Sequence, residues 1–181
     1  MNLILIVIMA LTMANGELLL FDFSSPEKSG DWYTINDDVM GGISQSNIHL
    51  NADKTATFTG KVSLENNGGF ASIRSRLDIN KESIFNGVAL RIKGDGNKYN
   101  IRFRTHTNFD GYAYSAKIET VEGVWKEYRL PFKDFKPTYR GYTLSNKPPL
   151  ESADIAQIGV LISDKQSGEF EITIDWIKLY E

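Results

Sequence analysis

The sequence predicts an all-β protein, a β-sandwich of about ten strands. Short apolar runs recur along the chain and are bounded by glycine, asparagine, aspartate and proline, which is typical of strands separated by turns. No segment carries apolar residues at helical spacing over the length of an ordinary helix. Strands at this spacing without long intervening helices favour a sandwich over an α/β sheet.

The strands follow one another in chain order, and each is an apolar run that ends at turn-forming residues. They are predicted at residues 18–23, 55–59, 61–65, 70–76, 88–93, 99–106, 112–119, 125–130, 158–162 and 170–180. The longest predicted loop covers residues 136–150, and long loops in compact domains are often functional.

Three short strings between these strands predict β-hairpins. They are residues 66–69 (NNGG), 94–97 (GDGN) and 122–123 (EG). Glycine and asparagine tolerate the positive φ angles of tight hairpin turns. We therefore expect each string to join two neighbouring strands of one sheet.

The composition fits one folded domain and excludes several kinds of site. The chain has 181 residues, of which 41% are hydrophobic, so it can bury a sizeable core. It contains no cysteine, which excludes disulfides, thiolate metal sites and cysteine nucleophiles. The net charge of −3 argues against nucleic acid as a partner.

Residues 1–14 are predicted to be a hydrophobic leader, and residues 17–181 the single domain. The apolar run at residues 3–11 is shorter than the ~20 residues of a membrane-spanning helix and matches the core of a signal peptide. We expect export or membrane tethering in a bacterium, through either a cleaved signal or an uncleaved anchor. An arginine-rich mitochondrial presequence is not visible, so a mitochondrial location is not expected.

One predicted strand carries a cluster of basic side chains. Alternation along residues 99–106 places Arg102 and Arg104 on the face opposite the core. Arginine forks bind carboxylates and phosphates, and tyrosine rings stack on sugars or pack against proteins. Candidate partner- or ligand-binding residues here are Arg102, Arg104, Tyr114, Tyr139 and Arg140. The alternative, given equal weight, is a solvated face whose arginines pair with acids.

The most unusual string runs from Asn36 to Ser44. Adjacent carboxylates could hold a structural Ca²⁺ or receive sugar hydroxyls, and paired glycines allow a close approach of the backbone. The more ordinary alternative is an acidic turn whose carboxylates bind local backbone amides. The candidate binding residues here are Asn36, Asp37, Asp38, Met40, Gly41 and Gly42.

Recognisable catalytic motifs are missing from the sequence. The two histidines, His49 and His106, have no G-x-S-x-G nucleophile string near them, and no dinucleotide or Walker A motif occurs. Asp37 and Asp38 would point apart on a strand, so they do not form a glycosidase pair. We therefore expect a binding protein rather than an enzyme, with no cofactor apart from the structural Ca²⁺ considered above.

Strings spread over about 160 residues match one family pattern. They include Trp32, residues 36–44, 58–60 and 64–72, Trp125, residues 130–132, Phe135, residues 140–141, Pro149, residues 158–159, 164–166, Gly168, Phe170 and residues 175–177. In this order they resemble the complex I intermediate-associated protein 30 family.

The resemblance implies a galactose-binding-like jelly-roll fold. It also implies assembly factors that act by protein contact, here with respiratory-complex subunits, and it supplies no catalytic residues. The alternative function is an exported carbohydrate-binding module with carbohydrate as its ligand.

Overall fold

The computed structural model describes residues 16–82, 84–108 and 110–181 of the chain. The predicted leader, residues 1–14, lies outside these described residues. Thirteen strands form two sheets, which confirms the predicted all-β sandwich. Within the described part of the chain, no helix is long and apolar enough to cross a membrane.

The strands, numbered in chain order, are β1 Glu17–Phe21, β2 Tyr33–Asn36, β3 Gln45–Leu50, β4 Ala56–Val62, β5 Ala71–Arg76, β6 Gly87–Lys93, β7 Lys98–Arg104, β8 Ala113–Glu119, β9 Trp125–Pro131, β10 Lys136–Tyr139, β11 Tyr142–Thr143, β12 Gln157–Ile162 and β13 Gly168–Tyr180. Among the described residues, helical structure is limited to the single turn α1, Pro26–Ser29, and to 3-10 turns at Asp37–Met40, Glu65–Asn67, Phe132–Asp134 and Ser152–Asp154.

Neighbouring strands of both sheets run antiparallel. The first sheet has the order β3-β4-β13-β6-β9, and β1 pairs with the second half of β13. The second sheet has the order β11-β10-β8-β7-β12-β5-β2. The chain therefore crosses between the sheets repeatedly, so each sheet collects strands from distant parts of the sequence.

The core lies between the inner faces of the two sheets. Phe58 and Ile172 of the first sheet, and Ile73, Ile101 and Val160 of the second, are fully buried. Burying one such side chain stabilises the fold by about 1.5–3 kcal/mol. Because side chains alternate along a strand, the residues next to these in β5, β7 and β12 face away from the core.

The three predicted hairpins are wrong, although the turns themselves are present. Residues 66–69 lead from β4 to β5, residues 94–97 from β6 to β7, and residues 122–123 from β8 to β9, and each connection joins opposite sheets. Asn66 and Asn67 have φ angles of 54° and 59°, so the expected positive φ is confirmed. Turn-forming residues specify a reversal of the chain, but they do not determine which strand lies beside which.

The predicted loop at residues 136–150 contains two strands, β10 and the edge strand β11. Both are short, and β10 includes Pro137, which has no N–H to donate within a sheet. Such strands lack the apolar alternation that marks longer ones. They extend the second sheet beyond β8.

Candidate functional site

Asp37 is a fully buried acid at the start of the turn between β2 and β3. Its carboxylate accepts hydrogen bonds from the Ser44 backbone N–H at 2.9 Å and from the Ser44 hydroxyl. It also accepts them from the backbone N–H groups of Gly69, at 2.6 Å, and Phe70, at 3.2 Å. One side chain thus ties the β2–β3 turn to the connection between the two sheets. We call this arrangement the Asp37 latch.

Two glycines make room for the Asp37 latch. A Cβ atom on Gly42 would lie 2.3 Å from Oδ1 of Asp37, and one on Gly68 would lie 2.6 Å from Oδ2. Real Cβ atoms do not approach other heavy atoms this closely. Gly42 therefore leaves room for the carboxylate of Asp37, and both residues belong to the unusual string from Asn36 to Ser44.

The hydrogen bonds that the Asp37 carboxylate accepts bear on the predicted structural Ca²⁺. Burial acts to raise the pKa of Asp37, but the hydrogen bonds from Ser44, Gly69 and Phe70 outweigh it and hold the pKa below its ordinary 3.8. The carboxylate oxygens are occupied by these donors, which matches the structural alternative for the string. Among the described residues, no three acidic or histidine side chains group together as a metal site. A structural Ca²⁺ stays a prediction.

The other candidate residues of the string lie at the surface around the latch. Asp38, Met40 and Gly41 are exposed, and Met40 keeps 56% of its surface. Asn36 is partly buried, and its side-chain oxygen accepts a hydrogen bond from the Ser46 hydroxyl at 2.6 Å.

A row of side chains crosses the outer face of the second sheet. In the register of β5, β12 and β7, Arg74 lies opposite Gly159, and Gly159 lies opposite Arg102. Tyr33 of β2 continues the row beside Arg74, and Ser115 of β8 continues it beside Arg102. The sandwich thus brings two arginines from distant parts of the chain to either side of one glycine.

Arg104 lies on the same outer face, two residues beyond Arg102 in β7. It pairs in register with Gln157 and is only 7% exposed. Its Nη1 donates to the carbonyl oxygens of Gly111, at 2.6 Å, and Tyr112, at 3.2 Å, and so holds the β7–β8 loop. We call Arg74, Arg102, Arg104, Gln157 and Gly159 the arginine face.

Arg74 is also bonded within the protein. It is 8% exposed and forms a side-chain hydrogen bond with Tyr33. The Tyr33 hydroxyl in turn lies 3.3 Å from Oε1 of Gln157, to which it donates. The Gln157 amide donates onward to the carbonyl of His106 at 2.6 Å. This chain of bonds fixes one side of the arginine face.

Arg102 differs from its two neighbours. Its Nε atom is buried and has no hydrogen-bond partner among the described residues. Buried polar atoms in proteins are bonded in the large majority of cases, so such an atom needs an explanation. A hollow of about 10 Å³, lined by Arg102, Arg74 and the Gly159 strand, adjoins it and has room for one water-sized group.

The electrostatics of the arginine face are those of crowded like charges. Burial, followed by the nearby charge of Arg74, lowers the pKa of Arg102 to about 10. Burial and the charges of Arg74 and Arg102 lower the pKa of Arg104 to about 10 as well. The Asp110 carboxylate acts against this shift at Arg74 and Arg104. The arrangement is therefore chemically suited to receive an anion.

The predicted basic cluster divides into three places. Arg102 and Arg104 lie together on the arginine face. Tyr114 is 1% exposed in the core, where its hydroxyl donates to the Pro148 carbonyl at 2.9 Å, so it is not accessible to a ligand. Tyr139 and Arg140 lie at the β10–β11 edge, 3.1 Å and 3.5 Å from the Asp110 carboxylate.

Sequence reasoning missed Arg74, Gln157, Gly159 and Tyr33. Alternation along residues 70–76 would have placed Arg74 on an outer face. It would not have shown that β12 separates β5 from β7. That order, which is set by the crossings between sheets, makes Arg74 and Arg102 neighbours across Gly159.

An open cavity of about 560 Å³ lies elsewhere, around residues 81–86, 131–133 and 149–153. Its lining is mainly apolar and includes Ile84, Phe85 and Leu150. None of the unpaired buried polar atoms of the described residues lies in this lining. It offers less chemical specificity than the arginine face.

Solved structures with a similar fold include carbohydrate-binding modules. A family 11 module from Clostridium thermocellum, in complex with a β-1,3-1,4-mixed-linked tetrasaccharide, superposes with a TM-score of 0.67 at 19% identity. The match covers 92% of this chain and 96% of that module. A family 29 module matches with a TM-score of 0.54 at 11% identity, covering 90% of this chain and 83% of the module. These similarities confirm the galactose-binding-like jelly roll.

Curated relatives come from eukaryotes. Complex I intermediate-associated protein 30, mitochondrial, from Mus musculus is 26% identical over 90% of this chain and 56% of its own length. The probable counterpart from Caenorhabditis elegans is 26% identical over 88% of this chain and 53% of its own length. An uncharacterized protein of Schizosaccharomyces pombe is 29% identical over 88% of this chain and 83% of its own length. The chain spans about half the length of the mitochondrial relatives it matches.

These relatives overturn the expected location. The sequence predicted export or membrane tethering in a bacterium, whereas four of the matched relatives are eukaryotic proteins whose names place them in mitochondria. The prediction was wrong because it depended on an apolar run at residues 3–11, outside the described residues, and not on the folded domain.

The family model for complex I intermediate-associated protein 30 matches residues 21–174. This range begins in β1 and ends in β13, so it takes in strands of both sheets. The resemblance drawn from the sequence strings is confirmed, and the chain belongs to the complex I intermediate-associated protein 30 family.

Proposed function

We propose that this protein takes part in the assembly of respiratory complex I in mitochondria, as a non-catalytic protein that binds complex I subunits. The observation that carries the proposal is the family match over residues 21–174, together with relatives named for this role. Only the matched β-sandwich is shared with those longer relatives. The proposal therefore assigns the binding function to this domain.

Exposed apolar side chains near the Asp37 latch support binding by protein contact. Val39, Met40 and Ile43 keep 53%, 56% and 48% of their surface, although they belong to one short turn. The latch fixes the backbone of this turn, so the three side chains are presented on a rigid support. Apolar groups held in this way are typical of surfaces that bind other proteins.

Deletion of the gene in its own host tests the assembly role. We expect less fully assembled complex I on native gels, with subcomplexes accumulating, and recovery when the intact chain is restored. A Met40→Asp variant, which places a charge in the exposed apolar turn, should restore assembly less well. The matched control Lys54→Asp, in the β3–β4 turn, should restore it fully. Normal complex I in the deletion strain would contradict the proposal.

A second candidate function is carbohydrate binding. It is supported by the similarity of fold to the family 11 module solved with a bound tetrasaccharide. Tyr33, on the outer face of the second sheet, is 38% exposed and offers a ring for sugar stacking. A glycan array probed with the full chain tests this function. A signal that Tyr33→Ala abolishes would favour it, and silence across the array would count against it.

A further inference from the structure

We propose that the hollow over Gly159, between Arg74 and Arg102, is a binding site for one oxyanionic group, a carboxylate or a phosphoryl group, carried by a ligand of this protein. This inference does not depend on the proposed role in complex I assembly. It rests on the register of the second sheet, the size of the hollow and the bonding of the three arginines.

The register places two guanidinium groups around an open space. Neighbouring strands lie about 4.8 Å apart, so Arg74 and Arg102, on either side of β12, begin about 10 Å from one another. Gly159, between them, has no side chain to fill the gap. Arginine side chains can reach inward over such a gap, and their planar forks bind carboxylate and phosphoryl oxygens through two parallel hydrogen bonds.

The size of the hollow limits what can enter it. A volume of about 10 Å³ accepts one water-sized group, hence an oxygen of an anionic group and not a whole ligand. The rest of the ligand would lie across the outer face of the sheet. Ser72 and Gln157 also line the hollow, and their side chains are bonded within the protein, the Ser72 hydroxyl to the Ile35 carbonyl and the Gln157 amide to the His106 carbonyl.

The three arginines differ in whether their side chains are hydrogen-bonded within the protein. Arg104 donates to the carbonyls of Gly111 and Tyr112, and Arg74 is bonded to Tyr33. Arg102 Nε has no partner within the described part of the chain, and the neighbouring charge that acts on this side chain is that of Arg74. Arg102 as a whole is partly buried, but its Nε atom is fully buried, and buried donor groups in proteins are normally hydrogen-bonded. An external oxyanion would give Arg102 the partner that the protein does not supply.

Asp110 does not supply the missing partner of Arg102. Asp110 affects Arg74 and Arg104, but its carboxylate accepts hydrogen bonds from Tyr139 and the Gly111 N–H. Its side chain is 63% exposed and forms an ion pair with Arg140 at 3.5 Å. Asp110 is therefore held at the β10–β11 edge. Among the described residues, the Arg102 Nε–H is the donor of the arginine face that stays without a partner.

NMR titration of the full chain tests the site. Inorganic phosphate and D-glucuronate are added in separate arms at constant ionic strength, with sodium chloride as the reference. We expect saturable shifts of the Arg102 Nε–H and Gly159 amide signals with at least one of the two anions. The arm that binds more tightly identifies the group as phosphoryl or carboxylate. Shifts that match those in sodium chloride in both arms would overturn the proposal.

Matched variants locate the effect. Arg102→Gln should weaken binding by about tenfold or more, because it removes the guanidinium whose Nε–H has no partner among the described residues. Arg91→Gln, on the first sheet, should leave the affinity unchanged, since Arg91 is paired with Asp175. If Arg102→Gln does not fold, Arg102→Met serves in its place. Equal affinity in wild type and the Arg102 variant would overturn the proposal even if anions bind elsewhere.

Because this experiment uses purified protein and small anions, its outcome is separate from the complex I assay. Loss of anion binding with normal assembly would refute the site alone. Saturable binding at Arg102 with normal complex I after gene deletion would support the site and contradict the assembly role.

Discussion

Asp37 and Arg102 are two charged side chains in one sandwich, and they are bonded in opposite ways. The Asp37 carboxylate is fully buried and accepts four hydrogen bonds from three residues. The Arg102 Nε atom is buried and, among the described residues, receives no partner. A buried charge whose bonds are all made within the protein stabilises the fold. One whose bonds are left unmade is available to a ligand.

The comparison also shows that the most unusual stretch of the sequence and the candidate anion site are different parts of the molecule. The unusual string from Asn36 to Ser44 contains the Asp37 latch, whose donors all come from the protein itself. The arginine face lies on strands of ordinary composition. If this interpretation is correct, substitutions in the latch change stability most, and substitutions at Arg102 change binding most.

The largest effect is expected for Asp37→Ala. It leaves the N–H groups of Ser44, Gly69 and Phe70 without their acceptor in a buried place. We expect the free energy of unfolding, measured by urea denaturation, to fall by about 3–5 kcal/mol. The neighbouring exposed Asp38→Ala is the control and should change it by less than about 0.5 kcal/mol. Equal losses of unfolding free energy in Asp37→Ala and Asp38→Ala would contradict the idea that the hydrogen bonds of Asp37 stabilise the fold.

Acid should weaken the Asp37 latch in a defined pH range. The folded-state pKa of Asp37 lies below its ordinary 3.8, because its hydrogen bonds outweigh burial. Its contribution to stability is therefore complete above the unfolded pKa and is lost as the pH falls through the folded pKa. The difference in unfolding free energy between wild type and Asp37→Asn should be constant above about pH 5 and should shrink below about pH 4. A gap that is constant down to pH 2 would show that the pKa of Asp37 is the same in the folded and unfolded states, so that its hydrogen bonds do not favour the ionised form.

A smaller effect is expected for Gly42→Ala. The added Cβ would meet Oδ1, Cγ and Cβ of Asp37 between 2.3 and 2.8 Å, so the turn or the carboxylate must shift. We expect a loss of about 1–3 kcal/mol of unfolding free energy. Because the three nearest contacts are with Asp37, and the two shortest are with atoms that alanine lacks, most of this loss should disappear in an Asp37→Ala background. Additive losses in the double variant would show that the strain comes from the backbone.

Most of the fold, but only part of the candidate site, could be predicted from the sequence. Apolar runs located strands such as β6, β12 and β13, because alternation and burial act within a few residues. The same runs did not reveal that β12 lies between β5 and β7. Strand order depends on contacts between distant segments, so Arg102 could be placed on an outer face but not beside Gly159 and Arg74.

Tyr114 was expected at a binding surface but lies in the core, and the reason is physical. Tyr114 was grouped with Arg102 because tyrosine and arginine are both frequent at binding surfaces. In β8, however, Tyr114 shares the inner face with Ile118 and is 1% exposed. Tyrosine can be buried when its hydroxyl finds a partner, here the Pro148 carbonyl. Composition alone does not distinguish these two uses.

Arg102→Met should stabilise the protein slightly. It replaces a cation that burial and Arg74 both disfavour with an apolar side chain of similar length. We expect a gain of roughly 1 kcal/mol in unfolding free energy and loss of the anion-induced NMR shifts. Arg91→Met is the control: it breaks an ion pair with Asp175 and a contact with the Trp125 ring, so it should not stabilise. A loss of stability in Arg102→Met would mean that Arg102 already has its partner within the protein.

The smallest effect is expected for Arg140→Gln at the β10–β11 edge. The Arg140 side chain is 64% exposed, and solvent screens its ion pair with Asp110, so we expect a change below about 0.5 kcal/mol in unfolding free energy. Asp110 keeps its bonds to Tyr139 and Gly111, which should hold it away from the arginine face. Phosphate and glucuronate affinities, measured by the same titration, should therefore match the wild type. A tenfold weaker affinity in this variant, with Arg102→Gln unaffected, would move the anion site from Gly159 to the edge of the sheet.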